Sequence, residues 1–348
     1  MEIIKIIGPT VLAFFFGIAI TPFFARYFFK YKMWKKRPRI DAETSPEFNN
    51  IHNTDGEVST PRVGGIIIWV SVLITVLAIY VFSLIYPSAL ARELNFFSRS
   101  QTLVPLGAFF FAAFVGLLDD LLQIFGKSSY ANDALDYRRV KIVFVSLIGL
   151  AISFWFYYKL EFSSVHIPFF GDLALGFWFI PFFIIVMLAT FSTSVIDGLD
   201  GLAGGVMASV FTSYAFIAFA QNQMDISALC GALAGAILAF LWFNIPPARF
   251  YMGETGMLAL TVVLAVVAFL TDTVLILPII ALPLVLTSLS VIIQIYSFKF
   301  FNKHRVFKVA PLHHHFQAIG WSREKVVMRY WVVSVISATV GVILVLIS

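Results

Sequence analysis

The sequence predicts an all-α polytopic membrane protein of about ten transmembrane helices, with both termini outside and a cleft for its reactive side chains on the cytoplasmic side. Three observations carry that expectation. The 348 residues are 60% hydrophobic and only 12% charged, with a mean hydropathy of +0.92, too apolar for a soluble globular chain. Apolar runs of about 20 residues, the length that crosses a hydrocarbon core, recur from end to end. The lysines and arginines fall almost entirely into the connections of one side.

The runs place spans at about 3–25, 63–86, 103–121, 140–158, 174–194, 201–221, 226–245, 256–271, 273–298 and 326–347. The first has no basic leader and no small-residue cleavage site, and a basic stretch follows it, so it reads as a retained span. Of the 24 lysines and arginines, twenty lie between Arg26 and Arg62, between Lys127 and Lys141, at Arg249, and between Lys299 and Arg329. Lys5, Arg92, Arg99 and Lys159 are left for the other side. Positively charged short loops stay in the cytoplasm, so the connections after spans 1, 3, 5, 7 and 9 are expected inside. The net charge of +5 therefore reports orientation, and no nucleic-acid partner is expected. The chain reads as a single integral membrane domain, 1–348, with a polar cytoplasmic loop at 32–62 and a second cytoplasmic loop at 299–325. One cysteine, Cys230, excludes a disulfide framework and a cysteine metal site.

Sorted by side, five acids stand out. Asp119 and Asp120 end the third span in Gly-Leu-Leu-Asp-Asp, Asp197 and Asp200 sit in Asp-Gly-Leu-Asp-Gly between spans 5 and 6, and Glu254 sits in Met-Gly-Glu-Thr-Gly before span 8. All meet one membrane face, and ionisable groups gathered at span ends mark a functional site by default. A plainer reading makes Asp119 and Asp120 a solvated helix end, and makes Asp197 and Asp200 caps of the following helix. Hard oxygen donors without cysteine favour Mg²⁺, which bridges one or two carboxylates to substrate phosphates. The bases for a phosphate are expected from Arg305, Lys308 and His313-His314-His315, after a span that Pro278 and Pro283 are expected to break. Zinc is disfavoured because its ligands are usually spaced rather than adjacent.

Ala310-Pro311-Leu312-His313-His314-His315-Phe316 followed by Gly320-Trp321 resembles the histidine loop of the phospho-N-acetylmuramoyl-pentapeptide transferases. Thr60-Pro61 with Gly64-Gly65, Asp119-Asp120, Asp197-Gly-Leu-Asp200-Gly, Phe243-Asn244 and Met252-Gly253 resemble, in order, motifs of the wider polyprenyl-phosphate N-acetylhexosamine-1-phosphate transferase superfamily, glycosyltransferase family 4. The likeness runs from about residue 60 to 331. It implies a ten-span fold, Mg²⁺ as cofactor and a reaction in peptidoglycan biosynthesis: phospho-MurNAc-pentapeptide passes from UDP-MurNAc-pentapeptide to undecaprenyl phosphate, giving lipid I and UMP. It further implies a homodimer in the bacterial plasma membrane.

By the same likeness, Asp119 and Asp120 match a pair assigned to the lipid phosphate or its deprotonation. Glu254 stands at the Mg²⁺ position. Asp197, Asp200, Asn244 and Tyr251 match positions lining the nucleotide pocket, with Tyr251 where an aromatic ring stacks on uracil. His313, His314 and His315 would contact the sugar-phosphate end, His314 among the catalytic groups. Four positions depart from the family pattern: Glu254 replaces an aspartate, Ser194 an asparagine, Glu57 a lysine and Met257 a serine. Two other functions compete. Transfer of GlcNAc-1-phosphate is the alternative within the same chemistry. A proton-coupled transporter would carry its acids at mid-span, and here they gather at one interface.

Overall fold

The computed structural model describes residues 2–36, 56, 58–97, 101–125 and 134–348. The middle of the polar loop expected at 32–62, Glu57 included, lies outside the described residues, as do Arg37, Arg39, Arg99 and Lys127. In chain order the elements are α1 (Glu2–Lys30), α2 (Gly65–Ile85), the short α3 (Ala89–Leu94), α4 (Leu103–Phe125) and α5 (Ala134–Lys159). A hairpin of β1 (Ser164–Ile167) and β2 (Gly171–Ala174) follows, then α6 (Phe179–Ser192), α7 (Leu202–Ala220), α8 (Met224–Asn244) and α9 (Gly253–Leu270). The chain closes with α10 (Leu277–Ile280), α11 (Leu282–Phe300), α12 (Leu312–Ala318) and α13 (Arg323–Ile347). Among the described residues, ten helices are long and apolar enough to cross a membrane. A helix is the form in which a single segment can satisfy most of its backbone hydrogen bonds in hydrocarbon, and α1 carries Pro9 and Pro22 within it.

Three expectations are refined. The third span does not stop at the aspartates: α4 runs on to Phe125, so Asp119 and Asp120 lie within its last two turns. The ninth span is broken as its prolines suggest. Pro278 sits in the first turn of α10 and Pro283 in the first turn of α11, where a missing N–H costs nothing. The hairpin was not foreseen. Its strands are four residues each, too short for an alternating pattern to register, and are paired antiparallel with His166 opposite Asp172. His166 Nδ1 pairs with Asp172 Oδ1 at 2.9 Å, and its backbone N–H donates to Asp272 Oδ1 at 3.3 Å, which ties the hairpin to the connection after α9.

The helix at the centre is α9, which is buried along almost its whole length. Water does not drive helices together inside a bilayer, so close packing through small residues has to do it. Gly65 of α2 packs on Gly256 of α9, Gly116 of α4 lies against the backbone of Glu254, and Gly231 and Gly235 of α8 lie against Thr10 of α1. A side chain at any of these would meet the neighbouring helix. At the opposite end of α9, Phe269 stacks on Phe183 with ring centroids 4.2 Å apart, beside Phe156 and Phe179. The start of α9 is thus clamped between α2 and α4, the position from which the site is built.

Candidate active site

The connections after spans 1 and 7 form one support. Tyr251 N–H donates to the Pro61 carbonyl at 2.7 Å, Gly64 N–H to Tyr251 at 2.9 Å and Gly65 N–H to Met252 at 2.9 Å. The Thr60-Pro61, Gly64-Gly65 and Met252-Gly253 motifs, far apart in sequence, are therefore joined backbone to backbone. Asn244, buried at the end of α8, ties in the third connection: its Oδ1 accepts from Gly201 N–H and its Nδ2 donates to the Phe250 carbonyl, both at 2.9 Å. Gly253 turns the chain into α9 with φ +67°, a conformation that costs an L side chain steric energy. A Cβ there would also meet the Arg62 carbonyl and the Asp120 carboxylate.

On this support the acids converge. Asp120, fully buried, crosses from α4 to the start of α9: one oxygen accepts from Glu254 N–H at 3.2 Å, the other from Thr255 N–H at 2.8 Å and Thr255 Oγ1 at 2.7 Å. The open N–H groups and the dipole of a helix N-terminus favour a carboxylate there. Asp119, one residue earlier, points elsewhere on α4. Its Oδ2 accepts from Gln123 at 3.0 Å and lies 3.1 Å from Lys141 Nζ, near the start of α5. The same ammonium lies 2.5 Å from Glu254 Oε1. The other carboxylate oxygen of Glu254, Oε2, is buried without a hydrogen-bond partner. Asp197 closes the cluster by accepting from Gly253 N–H at 3.2 Å. Burial pushes its carboxyl up to about 6, and the nearby Arg62 guanidinium opposes that rise.

The reading of Asp197 and Asp200 as helix caps is replaced by another role. The N-cap of α7 is Gly201, with φ +79° and no side-chain cap bond. Asp197 instead follows a 3-10 turn, Thr193–Ile196, and both acids reach across to the next connection, Asp200 accepting from Ala248 N–H at 3.1 Å. Burial raises the Asp200 carboxyl, and burial followed by the nearby Asp200 charge raises the half-buried Tyr251 phenol.

His313 packs edge-on against His314, centroids 4.3 Å apart, and both lie against Gly198, between the two aspartates. His313 is fully buried with neither ring nitrogen hydrogen-bonded, and burial, with the neighbouring His314, holds its pKa well below the usual value. His314 Nδ1 pairs with Gln317 Oε1 at 2.8 Å, and His315 Nδ1 accepts from Lys308 N–H at 3.2 Å. An unbroken chain of contacts thus runs from Asp119 through Lys141, Glu254, Gly253, Asp197 and Gly198 to His313 and His314. Arg305, expected to face a phosphate, lies over the Phe298 ring at 5.7 Å. The cations that meet the acids are Arg62 and Lys141, which sequence reasoning did not single out. Their signal was position: Arg62 directly follows Thr60-Pro61, and Lys141 opens a span on the face where the acids end.

A family model described as glycosyl transferase family 4 matches residues 102–272, the stretch holding all five acids, Asn244 and Tyr251. Over 339 residues the chain is 34% identical to a phospho-N-acetylmuramoyl-pentapeptide-transferase of Caldanaerobacter subterraneus subsp. tengcongensis, covering 97% of this chain and 98% of the relative. The chain belongs to this family. Like-named relatives from Chloroflexus aurantiacus, 34% identical across 90% of this chain and 83% of theirs, and from Clostridium perfringens, 40% identical across 68% and 73%, agree. As a member it is a phosphoglycosyl transferase, and its ten apolar helices make it a multi-pass membrane enzyme. A divalent ion fits the residues present. Asp119, Asp120, Asp197 and Glu254 against Lys141 and Arg62 leave two formal negative charges over, and the partnerless Oε2 of Glu254 is a hard donor of the kind Mg²⁺ takes.

Proposed function

We propose that the enzyme catalyses Mg²⁺-dependent transfer of phospho-MurNAc-pentapeptide from UDP-MurNAc-pentapeptide to undecaprenyl phosphate, yielding lipid I and UMP at the cytoplasmic face of a bacterial plasma membrane. The observation that carries this reading is the convergence of the acid cluster, its two cations and the buried histidines at one end of the bundle. A soluble nucleotide donor and a membrane-borne acceptor can meet only at such an end. The relatives named above support the muramyl donor over other amino-sugars.

In the reaction an oxygen of the lipid phosphate forms a bond to the β-phosphorus of the donor while the bond to the bridging oxygen breaks, its electron pair leaving with UMP. Asp119, in the last turns of α4, is the group assigned to accept the acceptor's remaining proton or orient its phosphate. Asp120 is committed to holding the start of α9, and so fixes where Glu254 stands. Glu254 would hold the Mg²⁺, which supplies charge neutralisation for the transferring phosphoryl group. Asp197, Asp200, Asn244 and Tyr251 frame the nucleotide: Asn244 keeps the Gly201 and Phe250 backbones in register, and Tyr251 offers a ring face. His313 and His314, beside Gly198, offer imidazole nitrogens to the sugar-phosphate, with His315 at the margin. Catalysis of this kind is positioning plus electrostatics in a site shielded from water.

The test is UMP release by the purified protein from UDP-MurNAc-pentapeptide and undecaprenyl phosphate. Release should require both substrates, stop with chelator and return with Mg²⁺. Release from UDP-GlcNAc in its place would move the chain to a different donor, and release that persists in chelator would remove the metal.

A further inference from the structure

Lys141 bridges two carboxylates of the cluster, those of Glu254 and Asp119. Its ammonium lies 2.5 Å from Glu254 Oε1 and 3.1 Å from Asp119 Oδ2, and its side chain, like theirs, is at least four-fifths buried. The bridge depends on the glutamate: the extra methylene relative to aspartate extends the carboxylate from the first turn of α9 across to α5. A divalent ion taken up by Glu254 then has two courses. It displaces the ammonium from Oε1, or it binds Oε2 and sits within a few ångströms of a fixed positive charge. Either course opposes the metal, because like charges at such separation in a poorly screened site repel strongly.

From this geometry we infer that Lys141 is a built-in competitor for the metal site, a positioning residue that holds Glu254 and Asp119 together and keeps the intrinsic affinity for divalent cations low. Mg²⁺ favours sites where substrate phosphates complete its ligand set, so a site weakened in this way holds its ion firmly only once the donor's diphosphate adds its oxygens. The inference rests on reading Glu254 as the metal ligand. Nothing in it depends on which sugar the donor carries.

The experiment measures Mn²⁺ binding to the full-length protein in detergent, without substrate, from the loss of the free-ion electron paramagnetic resonance signal, together with thermal unfolding in the presence and absence of Mg²⁺. Lys141→Met and Lys141→Gln remove the charge, the second keeping a hydrogen-bond donor for the case where the first does not fold, and Lys141→Arg keeps the charge. Both neutral variants should bind Mn²⁺ at least about tenfold more tightly than wild type, and gain more thermal stability from Mg²⁺ than wild type does. Lys141→Arg should stay within about twofold of wild type. Unchanged or weaker Mn²⁺ binding in a folded neutral variant overturns the inference. Glu254→Ala separates the two readings. If it binds Mn²⁺ as wild type does, the metal assignment has failed; if it loses binding while the lysine variants gain none, only the role of Lys141 has failed.

Discussion

Shortening Glu254 to aspartate withdraws the carboxylate from Lys141 and returns it to the length that the family resemblance places there. Because the backbone N–H groups of residues 254 and 255 are held by Asp120, the shorter side chain starts from the same point in space. Glu254→Asp should therefore retain or increase UMP release, whereas Glu254→Ala and Asp119→Asn should each lower it at least about a hundredfold, the scale on which a group acting on developing charge contributes. Near-normal rates in both of the latter would take the metal and the acceptor phosphate away from these residues. The acids were legible in the sequence because charge in apolar surroundings is rare enough to need a reason. The cations were not, because no spacing rule connects Lys141 with Glu254 across more than a hundred residues. His313 shows the same limit: its triplet is conspicuous, but that its ring is sealed against Gly198 with neither nitrogen bonded is a fact of packing.

At the scale of elements, the site exists because α2, α4 and α9 approach closely at the end of the bundle that carries the acids. Gly253 is the most constrained position in that arrangement, since its φ of +67° and its contact with the Arg62 carbonyl and Asp120 both exclude a side chain. Gly253→Ala is expected to cost about 1–3 kcal/mol of stability through backbone strain. It should also reduce UMP release more than the stability loss explains, because the Asp120 cap and the Glu254 position shift together. Thermal unfolding in detergent alongside initial rates checks both; an unaffected rate would mean that the turn is not a determinant of the site. The spans were readable from length and hydropathy, and the break of the ninth from Pro278 and Pro283. What escaped was local: α4 continues past its two aspartates because Leu121, Leu122 and Ile124 keep the helix apolar, and the 164–174 hairpin is held by pairing and by Asp272, not by any pattern of its own.

For the whole molecule, the decisive question is which leaflet the acid cluster faces. The acids, Lys141, Arg62 and the histidines all belong to one end of the bundle, and the hairpin and Asp272 to the other, because the ten helices alternate in direction. The Lys and Arg bias predicts that the first end faces the cytoplasm, where a nucleotide-sugar donor would be found. Cys230 is buried, so reporter cysteines can be read against a low background. A membrane-impermeant maleimide applied to intact cells should label Phe170→Cys, at the hairpin tip and 86% exposed, and should leave Lys303→Cys, exposed after α11, unlabelled until the membrane is opened. The reverse pattern would put the acid cluster on the outer face, where no donor of this class is available, and a polar end with four carboxylates would need a different substrate. Labelling of both in intact cells would mean that the alternation itself is broken, and with it the shared end on which every contact from Asp119 to His314 depends.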